Sequence, residues 1–353
     1  MISIQKRITA FAKLGDFLSQ FSVNNITKIE TIEHNELFFD GFLHQIKIAQ
    51  ENNSWFTKDN IIFTLNSWSK SLSFNNLNNF IAGVSLSEKA AKKVAIIMAG
   101  NIPLVGFHDF LSVLISGHAV VVKQSSNDKH LLPFLAKYLE YVEEGFKGKI
   151  TFSEEKLTDF DAVIATGSDN TARYFEYYFK NKPNIIRKSR NSIAVLTGNE
   201  TKEDFIKLSD DVFQYFGLGC RSVSKLYVPK GYDFDSFFTG MYAKKEMINN
   251  AKYANNYDYN KAVYLMSLFD LLENGFLMIK EDKSYSSPIA TVFYEYYDNE
   301  IDLKISLHQD KEKIQCIVAN GFLENEVGFG QTQHPKLTDY ADGVNTLEFL
   351  ATI

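Results

Sequence analysis

KKVAIIMAGNIPLVGFHDFLSVLISGHAVVVKQSS, residues 92–126, switches period twice, and those switches decide the fold. Residues 92–100 (KKVAIIMAG) are a short β-rich apolar run closed by Ala-Gly, the pattern of a buried parallel strand that feeds a turn. After Pro103 the spacing becomes helical, with Phe107, Phe110, Leu111 and Leu114 on one face and Gly117 as the stop. HAVVVKQSS (118–126) is the next strand. A second helix, in DKHLLPFLAKYLEYVEEGF (128–146), leads to DAVIATGS (161–168), a third strand closed by a glycine. Strand, helix, strand, helix, strand predicts an α/β unit on a parallel sheet, which binds ligands outside the carboxyl ends of its strands. Three loops fall there: AGNIP (99–103), KQSS (123–126) and ATGSDN (165–170).

Upstream, residues 1–90 read as helical, since Ile8, Phe11, Leu14 and Phe17 recur at intervals of three and SWSKSLSFNNLNNFIAGV (67–84) is similarly periodic. Downstream, RKSRNSIAVLTGNE (187–200) is a basic turn into a strand and marks a lobe boundary. TKEDFIKLSDDVFQYF (201–216) is an amphipathic helix with Thr201 as N-cap, Glu203 and Asp204 in its first turn, and Phe205, Leu208, Val212 and Phe216 on one face. It runs into Gly217-Leu218-Gly219, so Cys220 emerges just past a helix terminus, before the strand SKLYVP (224–229). Residues 240–285 read as mostly helical and SSPIATVFYEYY (286–297) as a strand.

With 353 residues, 45% of them hydrophobic and 23% charged, the chain can form two packed lobes. A net charge of -6 without a lysine or arginine stripe argues against a nucleic-acid partner. Two cysteines make no disulfide framework, which reads as a reduced, cytoplasmic protein. The N-terminus lacks the apolar core of about 7–15 residues that a signal peptide needs, and no window approaches a membrane span of about 18. P-loop, His-Glu-x-x-His, Cys-x-x-Cys and Gly-x-Ser-x-Gly motifs are all absent, so phosphate-loop chemistry, zinc chemistry and a serine hydrolase have no support, and no metal is expected. Gly217-x-Gly219 follows a helix rather than a strand and is not a dinucleotide fingerprint. Cys316, between Ile314 and Ile317, reads as core. Cys220, in a glycine-hinged turn, has the setting of a reactive thiol.

The order of MAGNIPLVG (98–106), SGHAVVVKQSS (116–126), DAVIATGS, KSRNSIAVL (188–196) and GLGCRSVSKLYVP (217–229) resembles the aldehyde dehydrogenase superfamily. VFQYFGLGCRSVSKLYVP, KYANNYDYNKAVYLM (252–266) and GFGQTQHPKLTDYADGVNTLEFL (328–350) look, more closely, like its acyl-CoA reductases related to LuxC. The resemblance implies an α/β fold with a Rossmann-type parallel-sheet cofactor lobe and an α/β catalytic lobe carrying the nucleophile. The corresponding segments are 1–187, 188–325 and a C-terminal 326–353 that packs back on the cofactor lobe or a dimer interface. It also implies Cys220 as nucleophile, Asn101 in the oxyanion hole, and Lys123, Ser125, Ser126, Thr166, Gly167 and Ser168 at the cofactor. The implied reaction is NADPH-dependent reduction of a long-chain fatty acyl-CoA to the aldehyde through a cysteine thioester. No acidic residue ends the Lys123 strand, which favours NADPH, with NAD(H) as the alternative. A homodimer or homotetramer and an acyl-protein synthetase partner are further implications.

Two departures qualify the likeness. The family's water-activating Glu is replaced by IIRKSRNSIAV (185–195), which favours thioester exchange over hydrolysis, and its ribose-binding carboxylate is missing around YSSPIATVF (285–293). A cysteine acyltransferase or thioesterase without a redox step, and a non-catalytic acyl-CoA-binding relative, stay open as alternatives. So do plainer roles for single residues: Asn101 as a turn former, Lys123 as a solvated lysine, and His334 as an exposed loop histidine rather than an acid or base. Arg187, Lys188 and Arg190 read as coenzyme A phosphate ligands or as a solvated basic turn, and Arg221 and Lys225 as cations that lower the Cys220 pKa.

Overall fold

A computed structural model describes residues 2–22, 25–86 and 90–353. The chain forms two compact units, Met1–Lys188 with Lys336–Ile353, and Ser189–Pro335.

The first unit opens with four helices, α1 (Ile4–Ser19), α2 (Asn35–Asn52), α3 (Lys58–Ser71) and α4 (Phe74–Ile81). There follow β1 (Lys93–Ile97), α5 (Phe107–Ile115), β2 (Ala119–Lys123), α6 (Leu131–Val142), β3 (Ile150–Phe152), β4 (Ala162–Thr166), α7 (Asp169–Phe179) and β5 (Asn184–Arg187). The sheet is parallel, in the order β3-β2-β1-β4-β5. Ile8, Phe11, Leu14 and Phe17 of α1 are all at most 1% exposed, as their spacing predicts, and burial of each such side chain is worth about 1.5–3 kcal/mol. Phe17 stacks on Tyr138 of α6 with ring centroids 4.4 Å apart, which joins the helical N-terminus to the helices of the sheet.

Residues 336–353 belong to this unit. His118 explains part of the attachment: its Nδ1 accepts the Lys92 N–H at 3.1 Å and its Nε2 donates to the Leu350 carbonyl at 3.0 Å. Burial lowers its pKa, so the ring is the neutral Nε2–H form that this pattern requires. Arg187, at the end of β5 and only 5% exposed, pairs with Asp109 at 2.6 Å and donates to Thr346 Oγ1 at 3.0 Å. Its guanidinium therefore holds the C-terminal segment inside the unit and does not serve the coenzyme A phosphates considered from the sequence. Lys188 and Arg190 also have carboxylate partners, Glu176 at 2.7 Å and Glu312 at 3.2 Å.

The second unit contains β6 (Asn191–Val195), α8 (Lys202–Phe213), β7 (Val223–Pro229), α9 (Asp235–Met241), α10 (Ala251–Met266), β8 (Leu272–Glu273), β9 (Met278–Glu281), β10 (Thr291–Tyr297), α11 (Glu300–Gln309) and β11 (Ile314–Val318). The last helix of the chain, α12 (Thr346–Thr352), returns to the first unit. The second sheet runs β11-β6-β7-β10-β9-β8, parallel except for the β8–β9 pair. The helical expectation for 240–285 fails after Met266: Gly275, at φ +91°, turns the chain into a hairpin, and Leu277, Met278 and Ile279 are buried as a strand. Cys316 is buried in β11, as expected. Among the described residues no helix is long and apolar enough to cross a membrane.

Candidate active site

In the first unit the chain enters the sheet at β1, builds outward through β2 and β3, then returns to β1's other side with β4. The crossover reverses between β1 and β4, and crevices at such reversals, beyond the carboxyl ends of the strands, bind dinucleotides. Asn101 follows β1, Lys123 ends β2 with Ser125 and Ser126 after it, and Thr166, Gly167 and Ser168 end β4. All these positions thus sit at one end of one sheet.

The β1 and β2 loops pack closely. A Cβ on Gly100 would lie 2.5 Å from Ser125 Cβ and Oγ, so glycine is required for this approach. The turn after Asn101 is fixed from within: Leu104 has φ +55°, is 2% exposed, and donates its N–H to Asp128 Oδ2 at 2.8 Å. A left-handed leucine costs on the order of 1–3 kcal/mol, so it persists only where the surroundings over-determine it. Lys123 Nζ donates to the Glu155 carbonyl at 3.2 Å and makes no ion pair among the described residues, so its charge is uncompensated by a carboxylate. Ser168 caps α7, its Oγ accepting the Thr171 N–H at 3.4 Å. An uncompensated lysine, strand-end hydroxyls and a helix N-terminus at a sheet reversal form a donor set that suits the phosphates and ribose of a dinucleotide.

In the second unit α8 starts with a full capping box between Thr201 and Asp204. Its exit is unusual. Tyr215, Phe216 and Gly217 are consecutive left-handed residues, with φ of 55°, 59° and 76°. Burial of both aromatic side chains, 7% and 5% exposed, offsets a cost of about 1–2 kcal/mol for each non-glycine residue. The reversal delivers Cys220 exposed, just before β7.

Both flanks of the cysteine turn are anchored. Ser192 Oγ of β6 donates to the Cys220 carbonyl at 3.0 Å. Arg221 Nε donates to the Thr332 carbonyl, and Gln333 Nε2 to Ser222 Oγ at 3.2 Å. Thr332 is itself clamped by Asp211 of α8, whose carboxylate also accepts the Gly330 N–H at 2.6 Å. Burial raises the Asp211 pKa against the pull of these donors. Lys225 differs from the sequence expectation. Its ammonium, fully buried on β7, is paired with Glu295 at 2.7 Å and bound to the Lys283 carbonyl at 2.9 Å, so it is committed to the sheet and not to Cys220. His334 is exposed on the segment that carries Thr332 and Gln333.

Asp211 and Asp128 escaped the reading from sequence. Asp211 left a trace: it lies on the same face of α8 as Leu208 and Val212, where a carboxylate must find donors. Asp128 left none, because its partner is 24 residues away in a different loop.

The family model described as Acyl-CoA reductase (LuxC) matches residues 76–249, which include the Asn101 turn, the Lys123 strand and Cys220. Solved aldehyde dehydrogenases share the fold. KauB of Pseudomonas aeruginosa superposes with a TM-score of 0.64 at 12% identity, over 90% of this chain and 72% of its own. The chain has the aldehyde dehydrogenase fold, and its residues 76–249 are similar to the LuxC acyl-CoA reductases. An NAD-dependent benzaldehyde dehydrogenase of Corynebacterium glutamicum gives 0.65 at 13% identity, over 90% and 76% of the two chains. A Mycobacterium tuberculosis aldehyde dehydrogenase, solved in complex with NAD+, gives 0.64 at 13%, over 90% and 73%. No curated protein sequence matches.

Proposed function

We propose that the protein reduces a long-chain fatty acyl-CoA to its aldehyde through a thioester on Cys220, with NADPH as the reductant. The observation that carries this reading is the nucleophile turn: an exposed cysteine presented by a strained reversal and anchored on both sides, in a chain whose 185–195 segment has no carboxylate. The Cys220 thiolate attacks the acyl carbonyl, and the C–S bond to coenzyme A breaks, so that coenzyme A leaves as a thiolate and takes up a proton. Asn101 serves as an oxyanion donor, a role its motif supports and one worth about 2.7–4 kcal/mol of barrier where such donors have been removed. Without a carboxylate in the 185–195 segment to activate water, the acyl-enzyme resists hydrolysis and waits for reduction.

Lys123, Ser125 and Ser126 hold the adenosine ribose and its 2′-phosphate, while Thr166, Gly167 and Ser168 border the cofactor from the β4 side. The nicotinamide, when bound, supplies the hydride. Lys123 is suited to a phosphate because no carboxylate among the described residues pairs with it. The whole turnover consumes one acyl-CoA, one NADPH and one proton and yields one aldehyde, one coenzyme A and one NADP+.

The test is NADPH oxidation with palmitoyl-CoA, with the aldehyde trapped as a hydrazone. Equal amounts of NADP+, free coenzyme A and hydrazone from the wild type, and none from Cys220→Ala, support the reading. Release of coenzyme A and fatty acid without NADPH oxidation contradicts it and indicates a thioesterase.

A further inference from the structure

We propose that Asp128 is a positioning residue for acylation: its buried carboxylate holds the Asn101–Gly106 turn through the Leu104 N–H and so fixes where Asn101 sits. The inference rests on the oxyanion role given to Asn101 above. Asp128 is 8% exposed, with Oδ2 2.8 Å from the Leu104 nitrogen and Oδ1 buried without a partner among the described residues. A buried carboxylate with one oxygen unbonded is a costly way to satisfy a single N–H. Burial raises its pKa to about 6, so the anion is the form present at neutral pH and above, and an anionic acceptor binds an N–H more strongly than an amide does.

The bond is placed where the turn needs it. Leu104 is the turn's left-handed residue, and its carbonyl accepts the Phe107 N–H at 3.0 Å to open α5. Asp128 is a firm anchor because its own loop is tied down. Its N–H donates to the Ser125 carbonyl at 3.2 Å, its carbonyl accepts Gln124 Nε2 at 2.9 Å, and the Asn127 carbonyl accepts Asn53 Nδ2 at 3.3 Å. Asp128 thus links the loop after β2 to the loop after β1, the one that carries Asn101.

The experiment compares wild type, Asp128→Asn, Asn101→Ala and the double variant, measuring Cys220 acylation by palmitoyl-CoA, its alkylation by iodoacetamide, and hydrogen exchange in peptide 99–106. Asp128→Asn is nearly isosteric and keeps a neutral acceptor; Asp128→Ala removes the acceptor altogether. Acylation is expected to fall about tenfold in Asp128→Asn and further in Asp128→Ala, but less than about twofold when Asn101 is already alanine, because the two act as one unit. Alkylation stays unchanged, and peptide 99–106 exchanges faster in both Asp128 variants while β1 stays protected. Equal losses with and without Asn101, or unchanged exchange in 99–106, overturn the proposal. A wild type that is not acylated at all overturns the reductase reading, and the exchange data still decide whether Asp128 holds the turn.

Discussion

Asp211 and Thr332, 121 residues apart, are joined by two hydrogen bonds, from the threonine N–H at 2.9 Å and its hydroxyl at 2.8 Å to one carboxylate oxygen. Because the Thr332 carbonyl also accepts from Arg221, the residue after Cys220, α8 supports the cysteine turn from behind through a loop near the end of the unit. Removal of the carboxylate in Asp211→Ala leaves three donors without their acceptor, a loss of about 3–5 kcal/mol. Asp211→Asn keeps part of the arrangement and is expected to lose less than half as much. Urea denaturation of the two variants checks the order, and a smaller loss in the alanine protein contradicts it.

The left-handed turn should be sensitive at Gly217. It has φ +76°, and an added Cβ would lie 3.3 Å from the Val212 carbonyl oxygen. Gly217→Ala is expected to cost about 1–2 kcal/mol and to slow Cys220 alkylation by iodoacetamide. Gly231→Ala is the control, since Gly231 has φ +78° with nothing within 4 Å of its added Cβ. It should lose similar stability and leave the alkylation rate unchanged; identical alkylation in both variants would show that the turn does not present the thiol.

Arg187 supports the fold rather than binding substrate. Its ion pair with Asp109 is buried at both ends, so Arg187→Ala strands a carboxylate and should cost about 3–5 kcal/mol. Replacement by methionine should cost nearly as much, because Asp109 remains unpaired. The apparent KM for acyl-CoA of folded Arg187→Met, measured at low temperature, is expected to match the wild type, and a severalfold rise would return Arg187 to the substrate site.

The pH dependence of stability carries a signature of Asp128. A carboxyl whose pKa is raised on folding, here to about 6, holds its proton more tightly in the folded protein. Its stabilising contribution is full at pH values below the unfolded pKa and is lost as pH rises through about 6. Asp128→Asn has no such loss. The difference in Tm between Asp128→Asn and wild type should therefore be smallest at pH 4 and grow in favour of the variant to a plateau above pH 6.5, and a flat difference would contradict the assignment.

How far the sequence could be read follows from where each signal lies. β1, α5, β2 and β4 were legible because most of their apolar residues are buried and their periods change at glycines and prolines. β3, three residues long and only partly buried, carries no pattern to detect. β9 was hidden behind a long helical period, with Gly275 the one sign of a hairpin. Cys220 was visible through its glycines, yet the turn that presents it depends on left-handed Tyr215 and Phe216, residue types that rarely adopt that conformation. The ties made by Asp128 and Asp211 join positions far apart in sequence, so only the folded chain reveals them.

A thioester on Cys220 is tested by the intact mass of the protein after mixing with palmitoyl-CoA, in wild type and Cys220→Ala, before and after NADPH is added. One palmitoyl adduct is expected on the wild type alone, persistent in buffer and discharged as aldehyde by NADPH. An adduct on Cys220→Ala, or none on the wild type, would contradict it.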